Sequence, residues 1–332
     1  MNKKQFIGGW IRRFLLEYLI GERNFSPNTQ TSYRDTFVLL LPFAARRVKQ
    51  AIDRLKVEDL SADVVRSFLQ YIEQKRSCSI VTRNQRLAAI HALAHFIGER
   101  CPELIAWCSK IRAVPFKKTL KPTITYLEKS EMDAILNAPD RTNLQGQRDY
   151  AIILLLYNSG ARADEVASLR VGDLKLGSSP SVKINGKGGK IRYCPLWKLT
   201  ENVLAPFTFN RLSHEVLFLN RLKQPFTRFG IRTLIKRNVT KATFKEPSLL
   251  KKQVSAHTVR HTTAVHLLRA GVDINTIRAW LGHASLNTTN IYAEVDLEMK
   301  AKALAHCEIS VTKQHKRLWH KSPEVMNFLR SL

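Results

Sequence analysis

The sequence predicts a mainly helical protein with a small antiparallel β-sheet, divided into two domains. Three observations lead to this fold class. Apolar residues recur at helical spacing through the first ~115 residues, a stretch rich in proline and lysine then interrupts this pattern, and one strand-turn-strand segment lies within a second series of helices. The chain has 332 residues, of which 44% are hydrophobic, and this is enough for two packed domains.

The first domain is expected over residues 1–113 as a series of amphipathic helices. Ser26 and Pro27 predict the cap and the first residue of one helix, because a serine side chain satisfies free backbone N–H groups and proline needs no N–H partner there. Ser61 predicts the cap of the next helix, whose apolar positions recur every three or four residues. The side chains expected on its buried face are Val64, Val65, Phe68, Tyr71 and Ile72.

A linker is expected over residues 114–124, where prolines and lysines show no clear period. The second domain is expected over residues 125–306. Ser130 and Asp133 resemble a capping box that opens a short helix, and RDYAIILLLYNSG predicts an apolar helix that stops at Gly160. The segment SVKINGKGGKIRYCPL predicts two strands joined by a glycine-rich turn, after which helices resume.

The chain is basic along its whole length, with 54 Lys and Arg against 27 Asp and Glu and a formal net charge of +27. Residues 1–120 hold 21 basic and 10 acidic residues, which leaves 33 and 17 for the remainder, so both parts are cationic. Because each neutralised phosphate releases condensed counterions, a nucleic acid is the expected partner. The alternative is an ordinary solvated basic surface.

The cysteines and the apolar segments predict a soluble, cytoplasmic protein. The five cysteines include no C-x-x-C pair, so neither a disulfide framework nor a cysteine-rich zinc site is expected. Arg12, Arg13 and Glu17 interrupt the apolar run near the N-terminus, which makes that run a poor signal peptide. Apolar runs such as AIILLLY at 151–157 are too short to cross a bilayer, so no membrane partner is expected.

Two candidate site residues lie on turns of the second domain. Arg162 follows a helix-ending Gly-Ala and precedes a new helix, and Lys187 lies at the tip of the GKGGK hairpin. The glycines beside Lys187 let the backbone approach another surface closely. Each residue alone has an ordinary explanation, as an exposed turn arginine or a surface lysine.

The segment HTVRH places His257, Arg260 and His261 three and four residues apart, so these side chains share one face of a helix. A zinc site is the alternative here, because His-x-x-x-His on a helix can bind metal. The metalloprotease form needs glutamate after the first histidine, where this chain has Thr258, and Arg260 would repel a cation. A metal is therefore not expected.

The segment LGHASLNTTNIY carries His283 after a helix-ending Leu-Gly and then Tyr292 on a short helix. Taken together, these groups suit one reaction, phosphoryl transfer from DNA to a tyrosine. A phenolic oxygen can act as nucleophile, two guanidinium groups can bind the non-bridging oxygens, and a lysine can protonate the leaving oxygen. With so much fixed positive charge, no metal and no other cofactor is expected.

The order Arg, Lys, His-x-x-Arg, Leu-Gly-His and Tyr, with Tyr292 nine positions after His283, resembles the tyrosine recombinase family, which includes phage integrases and Xer-type resolvases. The resemblance covers most of the chain. It implies an N-terminal helical core-binding domain with a SAM-like fold, followed by a tyrosine recombinase catalytic domain. The catalytic residues it implies are Arg162, Lys187, His257, Arg260, His283 and Tyr292.

The resemblance also implies a role for each residue. Arg162 and Arg260 would activate the scissile phosphate, and Tyr292 would form a 3′-phosphotyrosine. Lys187 would be the general acid, with Lys190 in the same hairpin as the competing candidate. The two remaining residues, His257 and His283, would assist in proton transfer and phosphate binding. Glu165 falls where the family often has an acid that orients the active site.

The implied function is site-specific DNA recombination or integration, for example in the transposition of a mobile element. The implied partners are double-stranded DNA, further copies of the chain in a tetramer on DNA, and related recombinases where a second one takes part. Two alternatives remain, a type IB topoisomerase-like nicking and closing enzyme and a catalytically silent DNA-binding regulator.

Residues 307–332 form a basic extension beyond the point where many family members end. Its apolar stripe predicts a helix, packed either on its own domain or on a neighbouring protomer.

Overall fold

A computed structural model of the chain describes residues 6–119, 124–282, 289, 327, 330 and 331. The chain divides into two compact units, Met1–Pro122 and Thr123–Leu332. The domain limits expected from the sequence stay predictions, and most of the extension from residue 307 lies outside the described residues.

The described part of the first unit is helical, and its helices enclose one apolar core. The helices are α1 (Ile7–Arg13), α2 (Pro27–Val48), α3 (Ala62–Gln74), α4 (Ile80–Arg100) and α5 (Ile105–Arg112). A π-helical segment, Phe14–Glu22, continues α1. The aromatic rings of Phe14 and Phe96 lie at the centre of the core, 5.5 Å apart between centroids.

The two predicted helix starts in this unit are confirmed. Ser26 Oγ accepts a hydrogen bond from the backbone N–H of Thr29 at 3.4 Å, and Pro27 is the first residue of α2. At the start of α3, Ser61 Oγ accepts from the backbone N–H of Val64 at 3.3 Å. The side chains expected on the buried face of α3 are all at least half-buried: Val64, Val65, Phe68, Tyr71 and Ile72.

The second unit surrounds a second core with helices and one small sheet. Between residues 124 and 282 its helices are α6 (Lys129–Leu136), α7 (Leu144–Ser159), α8 (Ala163–Ala167), α9 (Lys198–Leu204), α10 (Arg228–Ala242), α11 (Ala256–Arg269) and α12 (Ile274–Leu281). Together the two units confirm the predicted fold class, mainly α with a small antiparallel sheet. Among the residues described, no helix combines the length and the apolar character needed to cross a membrane.

The sheet has three antiparallel strands in the order β1 (Leu174–Lys175), β2 (Ser181–Asn185) and β3 (Ile191–Pro195). The predicted strand-turn-strand segment is confirmed by the pairing of β2 with β3, in which Val182 faces Cys194. The sequence did not predict β1, because two residues are too short for an alternating pattern. The turn between β2 and β3 is a tight one in which Gly188 and Gly189 have φ of 74° and 73°.

One predicted helix start is wrong. Ser130 lies inside α6 and does not cap it, since the helix begins at Lys129. Instead, the carboxylate of Glu131 accepts a hydrogen bond from the backbone N–H of Glu128 at 2.7 Å. The ammonium group of Lys252 also binds Glu131, at 2.6 Å, so a tertiary contact holds the carboxylate where it can satisfy the start of the helix.

Helix α7 is the central helix of the second unit and is buried on nearly every side. It packs against α11, where Thr263 Oγ1 donates a hydrogen bond to the carbonyl oxygen of Tyr157 at 2.8 Å. The predicted end of α7 at Gly160 is confirmed, and this glycine takes the left-handed conformation with φ of 59°. The candidate site is built around this end of α7.

Candidate active site

Arg162 stands at the start of α8, directly after the turn that ends α7. Its backbone N–H donates a hydrogen bond to Glu165 Oε2 at 2.9 Å, and its Nη1 donates to Glu165 Oε1 at 2.8 Å. The Arg162 side chain is 36% exposed, whereas that of Glu165 is 5% exposed. Arg162 is therefore an oriented cation that solvent, or a ligand, can still reach.

Glu165 is a buried carboxylate that two arginines share. Arg192 on β3 donates from Nη2 to Oε2 at 2.7 Å and from Nη1 to Oε1 at 3.2 Å. Burial by itself raises the pKa of Glu165, but the hydrogen bonds from Arg192 and Arg162 outweigh it, so the pKa lies below its usual range. The carboxylate is thus ionised at neutral pH and orients both guanidinium groups.

Arg260 on α11 is buried, with 1% of its surface exposed. Its Nη1 donates to the carbonyl oxygen of Gly160 at 2.7 Å, and its Nη2 donates to that of Leu281 at 2.6 Å. These two oxygens belong to the helix-ending segments of α7 and α12, so one guanidinium joins three helices. Its charge, like that of Arg162, acts on His257.

His257 lies at the start of α11, one turn before Arg260. The ring centroids of His257 and His261 are 4.9 Å apart, and the two rings are nearly perpendicular. Burial lowers the pKa of His257, and the charges of Arg260 and Arg162 lower it further. Burial, together with His257 and Arg260, also lowers the pKa of His261 to about 4. Both imidazoles are therefore neutral at pH 7, when each ring carries one donor and one acceptor nitrogen.

Arg162 and His257 line the same open cleft, whose volume is about 430 Å³. The cleft is formed by the first turns of α8, α10 and α11, and its lining residues are Arg162, Ala163, Asp164, Arg228, Phe229, Arg232, Ser255, Ala256 and His257. Among the described residues of this lining the one acid is Asp164, which lies 3.7 Å from Arg228 Nη1. The positive dipole ends of α10 and α11 add to the three arginines, so the cleft is suited to an anion.

The turn that carries Lys187 begins next to Glu165 and Arg192. Gly186 approaches both so closely that a Cβ there would lie 3.4 Å from Glu165 Oε1 and 3.5 Å from Arg192 Nη1. The hairpin is therefore anchored at the residue that precedes Lys187. The choice between Lys187 and Lys190 as general acid stays a prediction.

His283 and Tyr292 lie outside the described residues. The last described residue before them, Gly282, follows the end of α12 and has φ of 66°. A Cβ at Gly282 would lie 3.2 Å from Arg192 Cδ, so Arg192 also packs against the start of the segment that carries both residues. Of the predicted site residues, the structure brings Arg162, His257 and Arg260 to one region, and the roles of all six stay proposals.

The sequence reasoning missed Arg192, Arg228 and Arg232. A signal for Arg192 was present, because alternation along IRYCP places it on the same face of β3 as Cys194, which is buried. An arginine on a buried strand face needs an acidic or carbonyl partner. Arg228 and Arg232 lie four residues apart on α10, and nothing in that spacing distinguishes them from ordinary exposed arginines.

Within the ranges described, no three His, Cys, Asp or Glu side chains gather closely enough to hold a metal ion. The cations at the cleft are instead those of arginine side chains.

Comparison with known families gives two matches. Residues 125–299 match the phage integrase family, and residues 11–100 match the phage integrase N-terminal SAM-like domain. The first match alone covers more than half of the chain.

Individual relatives are similar over most of their length. A putative integrase/recombinase, y4rC, of Sinorhizobium fredii is 36% identical over 92% of this chain and 92% of its own. A tyrosine recombinase XerC of Pelobacter propionicus is 33% identical over 87% of this chain and 91% of its own.

Two solved structures share the fold at low sequence identity. The XerH site-specific recombinase, in a post-cleavage complex with a palindromic difH substrate, aligns with a TM-score of 0.67 and 22% identity over 86% of this chain and 82% of its own. The Tn1549 transposon integrase, in complex with a circular intermediate DNA, aligns with a TM-score of 0.67 and 15% identity over 91% of this chain and 99% of its own.

Proposed function

The chain belongs to the phage integrase family and is a tyrosine-type site-specific DNA recombinase, and from this premise we propose that its six candidate residues cleave and rejoin DNA through a covalent 3′-phosphotyrosine. The observation that supports this proposal is the meeting of Arg162 and His257, distant in sequence, at one cationic cleft. The buried guanidinium of Arg260 lies near enough to His257 for its charge to lower the pKa of that residue. Such a cleft suits a phosphodiester, since each phosphate carries one negative charge.

In the proposed reaction, the phenolic oxygen of Tyr292 attacks the phosphorus of the scissile phosphodiester, and the phenolic proton passes to an imidazole of the site, His257 or His283. The bond from phosphorus to the 5′ oxygen breaks, and Lys187 supplies the proton that leaves with this oxygen as a 5′-hydroxyl. The 3′-phosphate stays on Tyr292, so the energy of the broken bond is conserved in the new ester. Attack by a 5′-hydroxyl on the phosphotyrosine reverses these steps and joins the strands.

The cations of the site stabilise the charge that develops on the non-bridging oxygens. Arg162 can reach them because its side chain stays partly exposed in the cleft. The neutral imidazole of His257 can donate a hydrogen bond to the same phosphate. We expect no metal ion to be required, because these fixed positive groups supply the stabilisation that a metal would otherwise give.

The outer part of the cleft extends the surface for DNA. Arg228 and Arg232 lie on α10, and the exposed ring of Phe229 stands between them in sequence. Contacts from these two arginines to backbone phosphates position a duplex without reading its sequence. They also hold the scissile phosphate next to Arg162.

The experiment that tests the proposal is capture of a covalent adduct. Duplexes with a randomised central segment and a nick that traps the cleaved strand are incubated with the protein, and adducts are isolated on a denaturing gel and sequenced. Wild-type protein is expected to form an adduct with one selected sequence. Tyr292→Phe is expected to form none, whereas the matched control Tyr193→Phe, which alters an exposed tyrosine on β3, keeps the adduct.

An adduct that persists in Tyr292→Phe would remove this residue from the role of nucleophile. A protein that binds one sequence and never forms an adduct would be the silent regulator that the sequence left as an alternative.

We also propose that the chain acts as a tetramer on DNA in the service of a mobile element. The relatives called integrases and the transposon integrase with the same fold support this context. Two selected duplexes of different length are expected to exchange strands, giving recombinant products. Relaxation of a supercoiled plasmid by monomers, without exchange, would instead favour the topoisomerase-like alternative.

A further inference from the structure

The carboxylate of Glu165 accepts four hydrogen bonds, and they come from two arginines in equal number. Oε1 accepts from Arg162 Nη1 at 2.8 Å and from Arg192 Nη1 at 3.2 Å. Oε2 accepts from the Arg162 backbone N–H at 2.9 Å and from Arg192 Nη2 at 2.7 Å. Each carboxylate oxygen thus accepts two hydrogen bonds, one from each arginine.

Arg192 has a third fixed contact, on a different segment of the chain. Its Nε donates to the carbonyl oxygen of Trp280 in α12 at 3.0 Å. The Arg192 side chain is 9% exposed and also packs against the backbone of Gly186 and Gly282. One side chain on β3 therefore contacts the partner acid of Arg162, the hairpin of Lys187 and the residue before His283.

The charges of this group explain why a second arginine is present. If Glu165 contacted Arg162 alone, the pair would be close to neutral, and Arg162 would attract a phosphate weakly. Arg192 offsets the charge of Glu165, so the three groups together keep one positive charge. The exposed member of the group is Arg162, since Arg192 and Glu165 are both buried. The unbalanced charge therefore faces the cleft.

We propose that Arg192 is a positioning residue, which shares Glu165 with Arg162 so that the carboxylate orients Arg162 without cancelling its charge, and which fixes the end of α12 to the same point. This inference rests on the proposed role of Arg162 at the scissile phosphate. It adds a residue that does not touch DNA and acts through Arg162.

The test combines two substitutions. Arg192→Met removes the charge and the three donors, and single-turnover cleavage of the selected nicked duplex is expected to fall about 100-fold. DNA affinity is expected to change less than about threefold, because the DNA-facing arginines remain. Adding Glu165→Gln removes the uncompensated carboxylate while keeping an acceptor for Arg162, and at least about tenfold of the lost rate is expected to return.

The matched control is Arg211→Met. Arg211 also makes several partly buried contacts in the second unit, with the Glu215 carboxylate and the carbonyl oxygens of Phe207, Val216 and Leu217. Its loss is expected to lower the melting temperature but to leave the cleavage rate of the folded protein within about threefold. If Arg192 had a purely structural role, Arg192→Met would likewise lower the melting temperature and leave the cleavage rate of the folded protein nearly unchanged. The double variant would then recover no activity, and this result would overturn the proposal.

A second readout needs no DNA. The pKa of His257, followed by NMR, senses the charge of Arg162. It is expected to rise in Arg192→Met, where Glu165 cancels that charge, and to fall back in the double variant. An unchanged pKa of His257 would overturn the proposed role of Arg192, whether or not the wild-type protein forms an adduct with DNA. Failure of the wild-type protein to form an adduct would separately refute the proposed function. If Arg192→Met does not fold, Arg192→Gln with and without Glu165→Gln carries the same comparison, because glutamine also removes the charge but can still donate a hydrogen bond to residue 165. The same recovery in the double variant is then expected, and its absence would overturn the proposal.

Discussion

The Nη2 atom of Arg260 lies 2.6 Å from the carbonyl oxygen of Leu281, in a hydrogen bond that ties α11 to the last residue of α12. The same guanidinium binds the carbonyl oxygen of Gly160 at the end of α7. An arginine expected from the sequence to contact a phosphate thus also completes the ends of two helices, which lack backbone partners for their last carbonyl groups.

Arg260→Lys is expected to lower both stability and cleavage. A lysine ammonium cannot replace the planar guanidinium fork, so at least one of the two buried carbonyl groups loses its partner, at a cost of about 1–3 kcal/mol in the free energy of unfolding. Adduct formation is expected to fall about 100-fold or more. The measurements are urea unfolding and single-turnover cleavage. Arg269→Lys, on the same helix but bound to the partly exposed Glu128, is the control and is expected to change both by much less. Equal effects of the two substitutions would contradict this interpretation of Arg260.

Gly160→Ala is expected to be strongly destabilising. Residue 160 has φ of 59°, and a Cβ there would lie 2.4 Å from Leu281 Cδ2. Backbone strain and the overlap together are expected to cost about 2–4 kcal/mol in urea unfolding. Gly271→Ala tests the strain alone, because Gly271 has φ of 84° and a Cβ at this position would meet no atom within 4 Å. It is expected to cost about 1 kcal/mol. If Gly160→Ala cost no more than Gly271→Ala, α12 would have to move away from the new methyl group freely, and the expected overlap would be contradicted.

Arg228→Gln and Arg232→Gln are expected to weaken DNA binding in a salt-dependent way. Each removes one cation from the wall of the cleft, and each is expected to reduce the slope of log affinity against log salt by about 1. Fluorescence anisotropy with a labelled duplex at several salt concentrations measures this slope. Arg141→Gln, whose guanidinium lies 4.7 Å from the centroid of the Tyr150 ring and is not part of the cleft lining, is the control. An unchanged slope in both cleft variants would place the DNA elsewhere.

Glu165 is expected to make the protein less stable in acid. Its pKa is lower in the folded protein than in the unfolded chain, where a glutamate has a pKa of about 4.3. Its contribution to stability is therefore complete above that value and is lost as the pH falls through the lower, folded pKa. Glu165→Gln should flatten this part of the curve of melting temperature against pH. Glu58→Gln, at an exposed position of the first unit, serves as the control, and a curve unchanged by Glu165→Gln would contradict the assignment.

His261 is expected to make stability depend on pH over a higher range than Glu165 does. Its folded pKa is about 4, whereas an unfolded histidine has a pKa of about 6.5, so the unfolded chain binds more protons between these values. Stability from this residue is therefore complete above about pH 6.5 and is lost progressively as the pH falls towards 4, by at most about 3 kcal/mol. His261→Gln should remove that slope in urea unfolding. The expectation would be refuted if NMR showed that the His261 ring titrates with a pKa of about 6.5.

Much of the fold could be predicted from the sequence because its signals are local. The caps at Ser26 and Ser61 and the helix end at Gly160 follow from how each residue satisfies its neighbouring backbone. The start of α6 was predicted wrongly because Lys252, distant in sequence, helps to fix the acid that satisfies it. Local patterns carry no information about such a contact.

By itself, the sequence determined the mainly helical fold, the cationic character of both parts of the chain, and the ordered set of arginine, lysine, histidine and tyrosine that identifies the family. These properties depend on composition, on the period of a helix or strand, and on the spacing of residue types. The tertiary structure alone decided that Arg162 and His257 share a cleft with Arg228 and Arg232. It also decided that Arg192 and Arg162 both donate hydrogen bonds to Glu165. Such contacts join residues from separate helices and strands, and only the packing of those elements brings their side chains within hydrogen-bonding distance.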